Sequence, residues 1–238
     1  MNTQVGFKII SLSSILVLTA CGSSGGSDTP VNNDLGGIWN GTVISTDGAE
    51  SSIGLISEAG KLFFLTDDEL VLGSVGTSEN DFNGTADSYS PEGVAIGGKF
   101  SGTFTARSIF SGSASYQGTQ TSTFTYTYDD AHARGSSFDA VAGTYSETEG
   151  GYTETYTIDS EGNITGSDTD GCVFGGSLSL LDTQYNMYDF RLIASNCGDF
   201  NGTYNGLAAL MDDTEQNDTL AMGAEGPIYL IAGSIPRI

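Results

Sequence analysis

His132 is the residue best suited to acid–base chemistry, because it is the only histidine and has a reference pKa near neutrality. It lies in the polar segment 129–137, where we expect a solvated loop histidine rather than a catalytic one. No Gly-x-Ser-x-Gly, Ser-x-x-Lys, His-Glu-x-x-His or phosphate-loop pattern is present. The sequence therefore predicts no catalytic residue and no enzyme.

Carboxylates are the other abundant chemical groups, with 30 Asp and Glu against 7 Lys and Arg in 238 residues. So many acids allow glycosidase-like pairs, but any given pair is better explained as surface charge. The acidity argues against nucleic acid as a partner, since binding to phosphates needs basic patches. No calcium-loop pattern is present, and Asp159–Asn163 is typical of a hairpin turn, so we expect no metal and no cofactor.

The N-terminal segment has the features of a secretory signal. Lys8 precedes the short apolar run 9–19, which is too brief for a permanent membrane helix. Leu18-Thr19-Ala20-Cys21 resembles the bacterial lipobox. That resemblance implies that residues 1–20 are a signal peptide, that cleavage occurs before Cys21, and that Cys21 is acylated as a membrane anchor. Residues 21–34 would then be the lipidated cysteine and a flexible Gly/Ser tether.

The residue after the lipidated cysteine is informative about location. In lipoproteins of Gram-negative bacteria, Asp at this position typically causes retention in the inner membrane, whereas this chain has Gly22. The resemblance therefore implies the outer membrane, with its periplasmic and surface faces both open. Removal of residues 1–20 takes away Lys8, which leaves six Lys and Arg against 30 acids and a net charge of −24.

If Cys21 carries lipid, Cys172 and Cys197 remain as a pair. An oxidising periplasm permits a disulfide between them. A zinc site would need two further soft ligands, and a redox motif would place the two cysteines closer in sequence. We therefore predict a disulfide between Cys172 and Cys197.

The rest of the chain has the period of β-strands. Thr alternates with aromatic residues in 121–128, and similar alternation occurs in 152–158 and 188–192, whereas no segment shows helical spacing. Glycine-containing turn signals separate these runs: Asp47-Gly48, Ala59-Gly60, Glu92-Gly93, Glu161-Gly162 and Asp170-Gly171. The pattern predicts an all-β protein, an antiparallel barrel or sandwich.

An internal echo divides the β region. Leu35-Gly36-Gly37-Ile38-Trp39 and Val141-Ala142-Gly143-Thr144-Tyr145 share an apolar residue, a glycine and an aromatic residue at matching positions, and Gly202-Thr203-Tyr204 repeats the last three. We predict two β-rich halves, 35–133 and 134–238, as separate domains or as parts of one structure. Three Asn-Gly-Thr triplets, beginning at Asn40, Asn83 and Asn201, are interpreted as bulges or turns.

Gly37-Ile38-Trp39 resembles the first-strand Gly-x-Trp of lipocalins. That family closes one end of an eight-stranded barrel with the Trp and packs an Arg from a late strand over it. The resemblance implies this role for Trp39, with Arg237, Arg107, Arg134 or Arg191 as the candidate Arg. The simpler alternative is that Trp39 is a core aromatic residue. Trp39 is the one candidate ligand-binding residue.

Two functions of different classes remain. The first is a non-catalytic envelope lipoprotein, anchored through Cys21, that binds a protein partner through a strand edge or loops, or has a structural role. The alternative is a lipocalin-like carrier of a small hydrophobic ligand, which requires a closed barrel with an internal cavity. A hydrolase ranks third.

The lipobox leads to a direct test. In a bacterial host the wild-type protein should incorporate labelled palmitate and partition into detergent, because acyl chains provide the anchor. Cys21→Ala should do neither, whereas Cys172→Ala should still be labelled. Cleavage elsewhere, with an unlabelled wild-type protein, would refute the anchor.

Overall fold

The computed structural model describes residues 8–11, 34–67, 69–90 and 93–238, with residues 8–11 described for their backbone only. The predicted lipobox, Cys21 and the tether up to residue 33 lie outside the described residues. Among the described residues, no helix is long and apolar enough to cross a membrane.

The first half of the β region forms a closed antiparallel barrel of eight strands. The strands are β2 Gly37–Ser45, β3 Ala49–Ile56, β4 Lys61–Leu65, β5 Leu70–Ser78, β6 Asp81–Ser90, β7 Gly93–Thr105, β8 Ile109–Tyr116 and β9 Thr119–Asp129. Closure occurs where β9 pairs with β2, from Ile38 opposite Asp129 to Ser45 opposite Ser122. Because the barrel is closed, its strands leave no free edge.

In this barrel the alternation of Thr with aromatic residues separates an outer polar face from an inner aromatic face. On β9, Tyr126 is buried while Thr125 and Thr127 are exposed. Glycines at the predicted turns adopt positive φ, for example Gly48 at 137° and Gly60 at 81°. Such backbone angles favour glycine, so these residues set where each hairpin reverses.

The second half forms a sheet of eight sequential antiparallel strands, to which the N-terminal strand β1, Lys8–Ser11, is added. Its strands are β10 Gly143–Glu149, β11 Tyr152–Ile158, β12 Asn163–Asp168, β13 Val173–Leu180, β14 Tyr188–Ser195, β15 Gly202–Met211, β16 Thr219–Glu225 and β17 Tyr229–Pro236. The helices are short: 3₁₀ turns at Asp130–Arg134 and Gly198–Phe200, and α1 at Phe138–Val141. The all-β antiparallel prediction is thus confirmed.

The second sheet curls into a barrel that closes at one end of its seam. There, Tyr145 of β10 bridges to Arg237, and the Ile238 amide donates to the Thr144 carbonyl at 2.9 Å. Towards the other end, β17 pairs instead with β1, from Lys8 opposite Ala232 to Ser11 opposite Tyr229. Strand β1 belongs to the segment that the lipobox predicts to be removed.

Three apolar clusters hold the molecule together. One fills the second barrel and another lines the first. The third lies between the barrels, where outward faces of β2–β5 meet outward faces of β15–β17. Phe63 packs closely against Gly223: a Cβ added to Gly223 would lie 2.6 Å from the Phe63 ring. The two barrels therefore share a buried interface.

The internal echo has a physical cause. Trp39 folds back so that its Nε1 donates to the carbonyl of Leu35, four residues earlier, at 3.0 Å. The ring covers Gly37, where a Cβ would lie 2.7 Å from Nε1. Trp39 is fully buried at the closed end of the first barrel. Glycine is required at this position because the indole occupies the space of a side chain.

The two later echoes, which lie in the second barrel, repeat the hydrogen bond from the aromatic side chain to the carbonyl four residues earlier. The Tyr145 hydroxyl donates to the Val141 carbonyl at 2.8 Å, and the Tyr204 hydroxyl donates to the Phe200 carbonyl at 2.8 Å. Arg237 does not pack over Trp39; its guanidinium lies 5.2 Å from the centre of the Tyr145 ring. It is drawn there because the Tyr145 hydroxyl and the Ala140 carbonyl accept its hydrogen bonds.

The predicted disulfide between Cys172 and Cys197 is present, with the two Cα atoms 4.7 Å apart. It joins the β12–β13 hairpin to the connection between β14 and β15. Since Val173 and Ser195 are paired in the adjacent sheet, the bond extends an existing strand contact across two loops.

Candidate ligand cavity of the first barrel

The first barrel contains a cavity of about 660 Å³. Its lining includes seven aromatic residues: Phe64, Phe82, Phe100, Phe110, Tyr116, Phe124 and Tyr126. Residues near the hairpins at one barrel end, such as Ser45, Ser90 and Tyr116, also line it. Trp39, Leu35 and Phe104 are buried towards the opposite end, so the cavity has a packed floor and an opposite mouth.

The space exists because the inward aromatic residues face glycines on neighbouring strands. The pairs are Gly41 with Tyr126, Gly54 with Phe64, Gly84 with Phe100, Gly102 with Phe82 and Gly112 with Phe124. A Cβ on Gly41 would lie 2.3 Å from Tyr126 Cδ1, and one on Gly54 would lie 2.1 Å from Phe64 Cε1. Each of these five rings thus covers its glycine partner, whereas Phe110 has no glycine partner and lies among them, with its centroid 5.6 Å from that of Phe82 and 6.1 Å from that of Phe64.

This pairing explains why one sequence interpretation was wrong. The triplets beginning at Asn40 and Asn83 lie inside β2 and β6, not at bulges or turns. Their glycines, Gly41 and Gly84, face the interior beneath Tyr126 and Phe100. The triplet at Asn201 lies at the start of β15.

The aromatic rings are packed against one another. Phe110 and Tyr126 stack with centroids 4.8 Å apart, and Phe64 meets Tyr126 edge-on at 4.8 Å. Trp39 contacts Phe110 edge-on from the packed end of the barrel, with ring centroids 4.7 Å apart. Trp39 does not appear on the cavity wall; it supports the aromatic residue that does.

Polar groups occupy defined positions in the wall. The Tyr126 hydroxyl donates to Ser52 Oγ at 2.8 Å. Burial raises the pKa of Tyr126 well above its usual value, and the nearby Glu69 carboxylate raises it further. Glu69 Oε1 accepts a hydrogen bond from the Ser88 hydroxyl. Glu50 and Asp47 also line the cavity.

The prediction that His132 is a solvated loop residue is wrong, since only 1% of it is exposed. Its Nδ1 lies 2.9 Å from the Tyr128 hydroxyl, and its Nε2 lies 3.2 Å from Glu58 Oε1. Its ring stacks on Tyr185, with centroids 4.9 Å apart and an interplanar angle of 2°. The polar segment that contains it is short and lies between the two barrels, which is why the side chain is buried.

The same segment is fastened to the second barrel by Asn186. Its Nδ2 donates to the carbonyls of Ala131 at 3.1 Å and Leu210 at 2.6 Å, and its Oδ1 accepts from the Leu210 amide. Arg134 makes a two-pronged ion pair with Asp212, at 2.5 and 2.6 Å. These contacts make the segment a structural joint.

The second barrel contains a buried acid, Glu154, of which 2% is exposed. It accepts a hydrogen bond from the Tyr156 hydroxyl at 3.1 Å and lies in register between Glu147 and Asp168. Burial is the main reason why the pKa of Glu154 is raised to about 7; the two neighbouring carboxylates add to this and Tyr156 opposes it. Across the described ranges, no group of three or more His, Cys, Asp and Glu is placed to hold a metal ion.

Comparison of the chain with protein-family models, with curated proteins and with solved structures finds no match.

The buried Glu154 predicts a pH-dependent stability. In the folded protein the Glu154 carboxyl group stays protonated up to about pH 7. In the unfolded chain it loses its proton near the ordinary pKa of 4.5. The free energy of unfolding should therefore fall as pH rises from 4.5 to 7, by up to about 3 kcal/mol. Denaturant titrations across this range should show the fall in the wild-type protein.

Glu154→Gln should remove this contribution and stabilise the protein at pH 8, because a neutral amide has no charge to desolvate. The exposed Glu161→Gln is the matched control and should keep the wild-type pH dependence. Equal pH dependence in Glu154→Gln and the wild-type protein would contradict the assignment.

Proposed function

We propose that this protein is a lipoprotein of the outer membrane, anchored through Cys21, that acts as a non-catalytic binding module. Its ligand is a small, mainly apolar molecule held in the cavity of the first barrel. The observation that carries this proposal is the closed barrel with an aromatic-lined cavity of about 660 Å³.

The size and lining of the cavity support a small-molecule ligand. Binding pockets typically measure a few hundred to about a thousand Å³ and combine apolar walls with a few placed polar groups. The cavity of the first barrel combines seven aromatic residues with the polar side chains of Ser52, Glu69 and Ser88. Eight-stranded barrels are usually filled by their own side chains. Here five inward positions are glycines beneath rings, which keeps volume available for a ligand.

The surroundings of His132 support a binding role over a catalytic one. The imidazole is buried in the joint between the barrels and lies against Tyr128, Glu58 and Tyr185. It is also absent from the residues that line the cavity. A ligand in the cavity would therefore not contact this imidazole.

The cavity can be tested by filling it. Ala114 lines the cavity, whereas its neighbour Ser113 lies on the outer face of β8 beside Lys99. We expect the fluorescence of Trp39, the only tryptophan, to respond saturably to micromolar apolar ligands, because Trp39 contacts Phe110 of the cavity wall.

Ala114→Phe should weaken this binding by at least about tenfold, since a phenyl ring takes up ligand space, whereas Ser113→Phe should bind like the wild-type protein. Equal affinity in both variants would place the ligand outside the barrel. No saturable response to any apolar ligand would refute the carrier function.

A second candidate function is docking of a protein strand, and the seam of the second barrel favours it. Residues 8–11 occupy the edge of β17 at Tyr229–Ala232. If residues 1–20 are removed, this edge loses its partner strand and can accept an extended segment of an envelope protein by strand addition. The seam supports the partner-binding hypothesis without requiring the cavity.

Hydrogen exchange tests this second candidate. The amides of β17 at Tyr229–Ala232 should exchange faster in the mature protein than in an uncleaved form that keeps residues 1–20. A peptide with the sequence of residues 7–12 should restore their protection. Equal protection in the mature and uncleaved forms would show that the edge is not vacated, and would exclude strand docking there.

A further inference from the structure

We propose that the ligand of the first barrel is an organic cation: an apolar body that carries a protonated amine or a quaternary ammonium group. This inference rests on the proposed binding function of the cavity and names the chemical class of the ligand. Two independent features carry it, the sign of the charge on the cavity wall and the orientation of the aromatic rings.

The charged groups that face the cavity are carboxylates. Glu50 is paired with Val43, which also lines the cavity, and the two share the inward face of β2 and β3. Glu69 lines the cavity just before β5, and Asp47 does so at the β2–β3 turn. A cation that enters from the mouth therefore meets attractive charges along its path.

Glu69 is held in place rather than free to turn into solvent. Its amide donates to Thr66 Oγ1 at 3.0 Å, and its carbonyl accepts from the Thr66 amide at 2.9 Å. Its carboxylate accepts from the Ser88 hydroxyl and lies close enough to act electrostatically on Tyr126. The anionic group is thus positioned beside an aromatic ring of the cavity.

Within the described part of the chain, no basic side chain that faces the cavity neutralises these acids. Among the described residues that line the cavity, Lys99 is the only cation. It stands on β7 between Gly98 and Phe100, which face inward, and it also borders an outer groove with Ser101 and Ser113. Because neighbouring side chains on a strand point to opposite faces, the ammonium group of Lys99 lies outside the barrel.

The orientation of the aromatic rings also favours a cation. Three partly exposed rings of the cavity wall lie over a glycine of the adjacent strand: Phe64 over Gly54, Phe100 over Gly84 and Phe124 over Gly112. The face of an aromatic ring is electron-rich and attracts cations, and such rings recognise quaternary ammonium ligands. Rings combined with a fixed carboxylate therefore favour a cationic head and disfavour an anionic one.

Matched probes of equal chain length test the proposal. Octyltrimethylammonium, octanol and octanoate share an apolar chain and differ in the charge of the head group. Their affinities for the purified protein can be measured by calorimetry and by Trp39 fluorescence. We expect the ammonium to bind at least about tenfold more tightly than the alcohol, and octanoate to bind most weakly.

Glu69→Gln should lower the affinity for the ammonium by about tenfold and raise the affinity for octanoate, because it removes one of the negative charges that face the cavity. The gain for octanoate cannot result from misfolding. Asp67→Asn is the matched control: Asp67 is an exposed acid two residues away that does not line the cavity. It should leave all three affinities within about twofold of wild type.

Equal affinities for the ammonium and the alcohol, unchanged in Glu69→Gln, would overturn the cation inference while the cavity still binds ligands. Binding that is unaffected by Ala114→Phe, or no binding of any probe, would instead overturn the proposed function and the inference with it.

Discussion

The pairing of an aromatic ring with a glycine on the neighbouring strand is the interaction on which the first barrel depends. An inward ring next to a residue with a Cβ would have to point into the barrel centre, whereas a glycine lets it lie along the wall. Five such pairs recur around the barrel, and Gly41 with Tyr126 shows how little room there is, since a Cβ would lie 2.3 Å from the ring. The glycines thus lower the intrinsic strand propensity but open a cavity, and the rings restore the packing.

The second barrel uses related sequence patterns with a different result. Its interior is filled by tyrosines, phenylalanines and aliphatic side chains such as Tyr188, Phe190 and Leu192, all of which are almost fully buried. Its strands therefore provide a packed body, and its seam closes through Arg237 at one end. The second barrel also has inward aromatic residues opposite glycines, Tyr156 opposite Gly166 and Phe190 opposite Gly206, but aliphatic side chains fill the remaining space.

The two barrels are joined by a combination of apolar and polar contacts. Outward faces that would otherwise be exposed, around Phe63 and Leu207, cover each other. Asn186 satisfies buried backbone groups on both sides, and His132 fills the joint by stacking on Tyr185. Because Asn186 uses both its amide nitrogen and its oxygen in these bonds, another arrangement of the joint would leave buried polar groups unsatisfied. The joint therefore fixes how the first barrel is held relative to the second.

The amino-acid sequence by itself determined the all-β class, several hairpin turns and the Cys172–Cys197 pairing, because strand alternation, turn glycines and cysteine number are local or countable properties. The sequence also contained the repeated glycine-x-aromatic pattern at Trp39, Tyr145 and Tyr204. It did not show that each of these aromatic side chains donates a hydrogen bond to the carbonyl four residues earlier. Only the tertiary structure decided that Gly41 and Gly84 are strand glycines beneath rings, that His132 is buried, and that Glu69 faces a cavity. Each of these depends on which residue stands opposite on another strand or barrel. That register comes from closure and packing across many residues, so no local pattern encodes it.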